Sequence, residues 1–305
     1  MIGFSEGFHD AAVAVVNDGR ICYATHSERY SKVKHDKHLD ITAASTAQLL
    51  CHDGKIAFYE RPWLKRTRQL FAGQKAWYRP RHLTLEPTEY HSHHKSHAAA
   101  AFQTSPFEEA ACVVVDSIGE WDTTSIWTAK YKDGKAIYKK VWSQWYPQSI
   151  GLWYSALTKW AGLRPLDEEY IFMGMAAFGD PVHMNVVERQ LHKNNHKGAR
   201  LGDYKKEDIA KSAERILQLE LNNIFAKAAK YSNNICYGGG VALNCVVNTG
   251  LREMYNMWIM PCPGDAGGAL GAACLAYGRK VAFSPYLGYN IQKFCDPRRV
   301  VDALL

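Results

Sequence analysis

Apolar positions along this chain recur with two different periods, and the changes of period mark its elements. Ile2–Phe4, Ala11–Val16 and Ile21–Thr25 are short apolar runs, the last two separated by the turn residues Asn17, Asp18 and Gly19. They predict three strands, two of them joined as a hairpin. Ile41–Leu50 then predicts a helix and Lys55–Tyr59 a further strand. Strands followed by helix and strand argue for an α/β domain. A similar pattern returns later. Cys112–Val115 predicts a buried strand ending at Asp116, Thr123–Lys130 and Ala136–Trp142 predict strands joined by the Asp133-Gly134 turn, and Gly151–Gly162 predicts a helix. The expected domain therefore has two related halves, each opening on strands. The polar residues 180–208 read as a surface excursion. Ile209–Tyr231 has Ile216, Leu217, Leu219, Leu221, Ile224 and Phe225 on the apolar side of a predicted helix. Strand Ile235–Tyr237, the run Gly238–Gly240, a helix through Leu251, strand Trp258–Pro261 and a small-residue helix opening at Gly264–Gly268 complete the pattern.

The composition, 47% hydrophobic and 22% charged, is that of a chain able to bury a core, which excludes a disordered segment. No apolar run approaches the ~18 residues that span a bilayer, and Met1 leads into a strand without a basic leader, so a cytoplasmic protein with no membrane partner is expected. None of the eight cysteines forms a C-x-x-C pair, which predicts free thiols and no cysteine-ligated zinc. A net charge of +7 permits an anionic substrate or a nucleic acid and requires neither.

The densest chemistry is His91-Ser92-His93-His94-Lys95-Ser96-His97. His93 and His97 stand at i and i+4, so on a helix both imidazoles share a face, as metal ligands do. The competing reading is a solvated histidine-rich turn. Asp116 at a strand end and Asp265 between a strand and a helix add two carboxylates, each of which also reads as a helix cap or turn residue. Two histidines and two carboxylates suit Fe(II), Mn(II) or Zn(II). The glycine turns Gly238–Gly240 and Gly264–Gly268 each follow a strand and open a helix, where backbone N–H groups accept a phosphate; tight turns also want glycine for its own sake. His9, beside Asp10 in the first loop, is a candidate general base or a turn histidine. Arg61–His82 mixes Arg61, Lys65, Arg66, Arg68, Lys75, Arg79 and Arg81 with Trp63, Phe71, Trp77 and Tyr78 and holds no acid. It suits a polyanion such as DNA, or a helix with a solvated basic face and a buried aromatic one.

Six stretches in order resemble the O-carbamoyltransferase family of the NodU/TobZ type. Gly7-Phe8-His9-Asp10-Ala11-Ala12 resembles its G-x-H-D-A-S, Ser27–Lys34 its E-E-R-F-x-R-x-K, and His93–Phe102 its H-H-x-x-H-A-A-S-A-F. Asp116-Ser117-Ile118-Gly119-Glu120 resembles D-G-x-G-E, Gly239–Cys245 is G-G-V-A-L-N-C unchanged, and Gly264–Gly267 is G-D-A-G. The resemblance implies an actin/chaperone-ATPase/sugar-kinase-like (ASKHA) α/β fold over residues 1–284, with two subdomains dividing near 110–150. It implies iron held by His93, His97, Asp116 and Asp265, His9 as base and Lys34 as a substrate-contacting lysine. Gly239, Gly240, Asn244, Gly264 and Gly267 would hold the adenylate. The implied donor is carbamoyl adenylate, made from carbamoyl phosphate and ATP, and the acceptor is a hydroxyl on a sugar-like small molecule or on a hydroxymethylated DNA base. Residues 285–305 would be a tail towards a YrdC-like adenylating lobe, supplied in cis or in trans.

The sequence departs from the family at Ser117, where the motif has glycine, and at Ile171, where relatives usually carry lysine. Two rivals stay open. One is an enzyme like the tRNA threonylcarbamoyl transferases, which shares the histidine pair. The other is a catalytically silent nucleotide-binding regulatory module.

Overall fold

The computed structural model describes residues 1–52, 54–74 and 83–287. Its first sheet contains β1 (Ile2–Ser5), β2 (Ala12–Asn17), β3 (Arg20–His26), β4 (Ile56–Phe58) and β5 (Glu89–Tyr90), in the order β3-β2-β1-β4-β5. β1 to β3 form an antiparallel meander, and β4 and β5 add on in parallel. The second sheet contains β6 (Glu109–Gly119), β7 (Asp122–Lys132), β8 (Lys135–Trp145), β9 (Asn234–Gly238) and β10 (Asn256–Ile259). Its order is β10-β9-β6-β7-β8, again a meander with two parallel strands added beside its first member. The two halves thus share one topology, as their opening patterns predict. Asp133 and Gly134 both have positive φ (52° and 72°), the primed turn that matches strand twist in the β7–β8 hairpin.

The helices are α1 (Glu28–Ser31), α2 (Ile41–Leu50), α3 (Pro62–Phe71), α4 (His93–Gln103), α5 (Ile150–Trp160), α6 (Glu169–Met175), α7 (Met184–Leu191), α8 (Lys206–Ala229), α9 (Cys245–Met254) and α10 (Asp265–Tyr277). α2 covers the outer face of the first sheet through Ala43, Ala44 and Ala47. α5 and α8 cover the outer face of the second with Trp153, Leu157, Ile216, Leu221 and Phe225. α4 and α10 lie between the sheets. Ala99 and Ala100 of α4 meet Leu270 and Ala273 of α10, while Ala98, Ala101 and Phe102 face Cys112, Val114 and Cys236 of the second sheet. Small side chains are what such a position demands. A Cβ at Gly271 would stand 1.9 Å from the Ser96 carbonyl oxygen, so the two helices cross at backbone contact.

Two expectations are corrected. β6 does not end at Asp116; it continues to Gly119 through a register shift after Val115, a bulge that lifts Asp116 out of the ladder. Residues 180–208 are not merely a surface excursion, since they form α7, whose Val187 and Leu191 are buried against α8 and its neighbours. Val187 and Leu191, with Met184 packed beside them, hold this short helix to the core.

Candidate metal centre

α4 begins at His93, and every one of its residues except Lys95 is buried, which overturns the solvated-turn reading of the histidine cluster. His93 and His97 face the start of α10 and the bulge of β6. His93 Nε2 lies 3.0 Å from Asp116 Oδ2, 3.4 Å from Asp265 Oδ1 and 3.0 Å from His97 Nε2. His97 Nε2 lies 3.4 Å from Asp265 Oδ1 and 3.8 Å from Asp116 Oδ2. One ligand atom from each of the four residues falls within 4.8 Å of all the others. Around an ion with bonds of ~2.0–2.2 Å, neighbouring ligand atoms stand about 2.8–3.6 Å apart. The four groups therefore converge as a ligand set converges. Two ring nitrogens aimed at each other, with two carboxylates beside them, need a cation or a proton between them.

The local electrostatics agree. Burial alone would lower the pKa of His93, yet the carboxylates of Asp265 and Asp116 hold it well above the ordinary value. Burial would raise both aspartates, and the histidines around them keep both carboxyls below the usual range instead. Asp116 also accepts the Gly240 N–H at 3.2 Å, and Asp265 makes no capping bond, since Gly264 takes the cap position. Neither aspartate is the cap or turn residue that local pattern allowed. His94, one residue on, is held neutral by burial and by His93, and pairs with Ser125 Oγ at 2.7 Å.

His9 enters from the β1–β2 loop. Its Nδ1 lies 2.7 Å from Asp10 Oδ2 and its Nε2 3.5 Å from Asp265 Oδ2, so it borders the centre. Asp10 has φ 52° and is held on its other oxygen by His35 Nδ1 at 2.8 Å. Lys34 is exposed and pairs with Asp167 of the second half, which also receives Arg164 at 3.0 Å. The glycine turns lie against the same centre. A Cβ at Gly239 (φ 92°) would meet the Val115 carbonyl oxygen at 2.3 Å, and one at Gly267 would meet that of Cys262 at 1.9 Å. Both therefore have a packing reason whatever they bind. Gly240 and Gly264 flank the opening beside Asp116 and Asp265. Asn244 accepts the Val247 N–H at 3.1 Å and caps α9, a task independent of any nucleotide.

The basic stretch is inverted relative to expectation. In α3, Lys65, Arg68 and Gln69 are buried, while Trp63, Leu70 and Phe71 are exposed. Lys65 pairs with Glu60 at 2.8 Å, and Arg68 Nε donates to the Glu120 carbonyl at 3.2 Å. Arg61 grips the Glu120 carboxylate through its backbone N–H, Nε and Nη2 at 2.7, 3.2 and 2.9 Å. Lys65 and Arg68 face inward because the Glu60 carboxylate and the Glu120 carbonyl await them, whereas Arg66 is exposed. Lys75, Trp77, Tyr78, Arg79 and Arg81 lie outside the described residues. Sequence reasoning missed Glu60, although it follows an apolar strand just as Asp116 does. It also missed Asp167, which sits in a loop with no distinguishing pattern.

A two-half α/β fold with a buried His2Asp2 cluster between its halves defines a narrow class. The fold has a solved counterpart in the activator of the 2-hydroxyisocaproyl-CoA dehydratase from Clostridium difficile with bound ADPNP, at TM-score 0.51 and 13% identity over 91% of this chain and 94% of that one. It is the actin/chaperone-ATPase/sugar-kinase-like fold. Within that class, the sequence model described as Carbamoyltransferase N-terminus matches residues 57–207 and 183–274, and the chain belongs to that family. An uncharacterized protein of Synechocystis, sll1178, is 30% identical across 90% of this chain and 56% of its own length. The 3'-hydroxymethylcephem-O-carbamoyltransferase of Amycolatopsis lactamdurans is 26% identical across 90% and 58%, and the nodulation protein NolNO of Sinorhizobium fredii 23% across 88% and 46%. The chain spans about half the length of the curated relatives it matches. Among the described residues, no helix is long and apolar enough to cross a membrane.

Proposed function

We propose that this chain carries the transfer site of an O-carbamoyltransferase, moving a carbamoyl group from carbamoyl adenylate to an acceptor hydroxyl. The observation that supports it most is the convergence of His93, His97, Asp116 and Asp265 beside His9, in a chain of the carbamoyltransferase family. The donor set, two imidazoles and two carboxylates in a buried cleft, fits a divalent ion of the Fe(II), Mn(II) or Zn(II) kind, and iron is the ion proposed. When bound, the ion supplies Lewis acidity towards the adenylate phosphate and offsets charge on the departing AMP.

The protein's own groups do the rest. Asp10 accepts the Nδ1–H of His9, which leaves the Nε2 lone pair on the side of Asp265 and the proposed centre. That nitrogen takes the proton of the acceptor hydroxyl as its oxygen bonds to the carbamoyl carbon. The bond from that carbon to the phosphate oxygen breaks, and AMP leaves. The N–H groups around Gly240 and Gly264 would face the phosphate, and Lys34 would contact substrate after releasing Asp167.

A small hydroxyl acceptor is preferred to DNA, because Lys65 and Arg68 are engaged inside the protein and only Arg66 of the described basic stretch stands free in solvent. The donor would be made in a YrdC-like lobe, in cis or in trans. The test is mass spectrometry of hydroxylated acceptors, with hydroxymethylated DNA among them, after incubation with supplied carbamoyl adenylate. One added carbamoyl, absent with His97→Ala, is expected. No acceptor modified, in a protein shown to hold its metal, would overturn the reading. Carbamoyl phosphate and ATP given to the 305-residue chain alone should yield no pyrophosphate.

A further inference from the structure

Glu60 and Lys65 form an ion pair that is buried on both sides, with side chains 1% and 6% exposed and 2.8 Å between Oε1 and Nζ. Such a pair is a poor source of stability, since taking two charges out of water offsets most of their attraction. Its placement suggests another use. The second oxygen of Glu60 lies 3.6 Å from Nδ1 of His93, and that Nδ1 is buried with no hydrogen-bond partner. The opposite nitrogen of the same ring points into the four-residue cluster.

Resting on the metal centre proposed above, we infer that Glu60 is the positioning residue for His93, and that Lys65 holds the Glu60 carboxylate in place. A neutral imidazole carries one N–H. With the carboxylate on the Nδ1 side, that N–H sits at Nδ1 and the lone pair is left at Nε2, where the ion binds. The carboxylate also raises the basicity of the ring. Lys65 takes the other oxygen of Glu60 at 2.8 Å, which leaves the second oxygen turned towards the ring. A movement of a few tenths of an ångström closes the 3.6 Å gap to a hydrogen bond. Lys65 further lies 4.7 Å over the ring of Phe8, the neighbour of His9. The pair therefore joins a ligand of the centre to the loop that carries the base.

The experiment measures metal affinity, not turnover. The purified chain is stripped, then titrated with Zn(II) or Co(II) against a chelator of known affinity. Glu60→Gln should weaken binding about 10–100-fold, and nitrogen-detected NMR of the histidine rings should show the His93 proton no longer fixed at Nδ1. If the single variant does not fold, Glu60→Gln with Lys65→Met removes both charges, and the same loss of affinity is expected from a folded protein. Unchanged affinity in a variant of Glu60, with metal lost in His97→Ala, overturns the positioning role and leaves the centre standing. No metal bound by the wild-type chain overturns both.

Discussion

At the scale of single residues, the proposed site divides into groups that would hold the ion and one group that would react. His9 borders the cluster at 3.5 Å from Asp265 but is not among the four converging side chains. His9→Asn should therefore keep its metal and its fold while losing ~10²–10⁴-fold in transfer rate, the usual effect of removing a general base. Elemental analysis beside initial rates checks both halves; near wild-type turnover would make His9 structural. A histidine away from the site gives a stability prediction. His196 is lodged between Tyr146 and Gln74, with burial and then the Arg68 charge lowering its pKa. Its folded pKa is below the unfolded value of 6.5, so the unfolded chain takes the proton first. Stability should fall as pH drops from about 6.5 towards the folded pKa, and not further below it. In His196→Gln that part of the slope should vanish from urea melts taken across the range.

The elements were legible where one period ran long enough. Ile41–Leu50 was predicted as the helix observed, and the β7–β8 hairpin was announced by Asp133-Gly134. Reading failed where burial came from a partner rather than from the segment itself. α3 looked like a basic surface because the groups that draw its cations inward are off the helix, Glu60 just before it and Glu120 far along the chain. The four candidate ligands, His93, His97, Asp116 and Asp265, could be picked out because their spacing is local or their strand is apolar, whereas Glu60 stands out only against a ring that folding brings to it. The α4–α10 crossing yields a test at this scale. Gly271→Ala places a methyl group where Ser96 O already stands, so the helices must part or shift. A loss of about 1–3 kcal/mol is expected in denaturant unfolding, together with weaker binding at the proposed metal centre, because both helices carry residues of it. Gly174→Ala, in α6 with open space around its Cβ, should instead be neutral or stabilising by up to about 1 kcal/mol. Equal effects of the two changes would mean that the crossing is looser than drawn.

Across the whole molecule, two of the polar contacts between the halves differ in character. The Lys34, His35 and Asp167 contact lies at the surface, with Lys34 exposed and its two partners half-buried, and Asp167→Asn should shift the unfolding midpoint little at ordinary salt, where such charges are screened. The Arg61–Glu120 contact is another matter. Glu120 has φ 60° and a side chain only 6% exposed, and it accepts three donors from Arg61, one of them a backbone N–H. Burial pushes its carboxyl above the ordinary value even with the guanidinium beside it, so desolvation is the larger effect there. Removing the acid alone leaves those donors unpaired between the halves. Glu120→Ala should cost about 2–3 kcal/mol in urea unfolding. Replacing both partners, as Arg61→Leu with Glu120→Leu, removes the stranded side-chain charge but cannot pair the backbone N–H of residue 61. The double variant should therefore recover part of the loss and stop short of wild type. A double-mutant cycle measures that remainder directly. Full additivity of the two single changes would show that Arg61 and Glu120 do not hold the halves together as a pair.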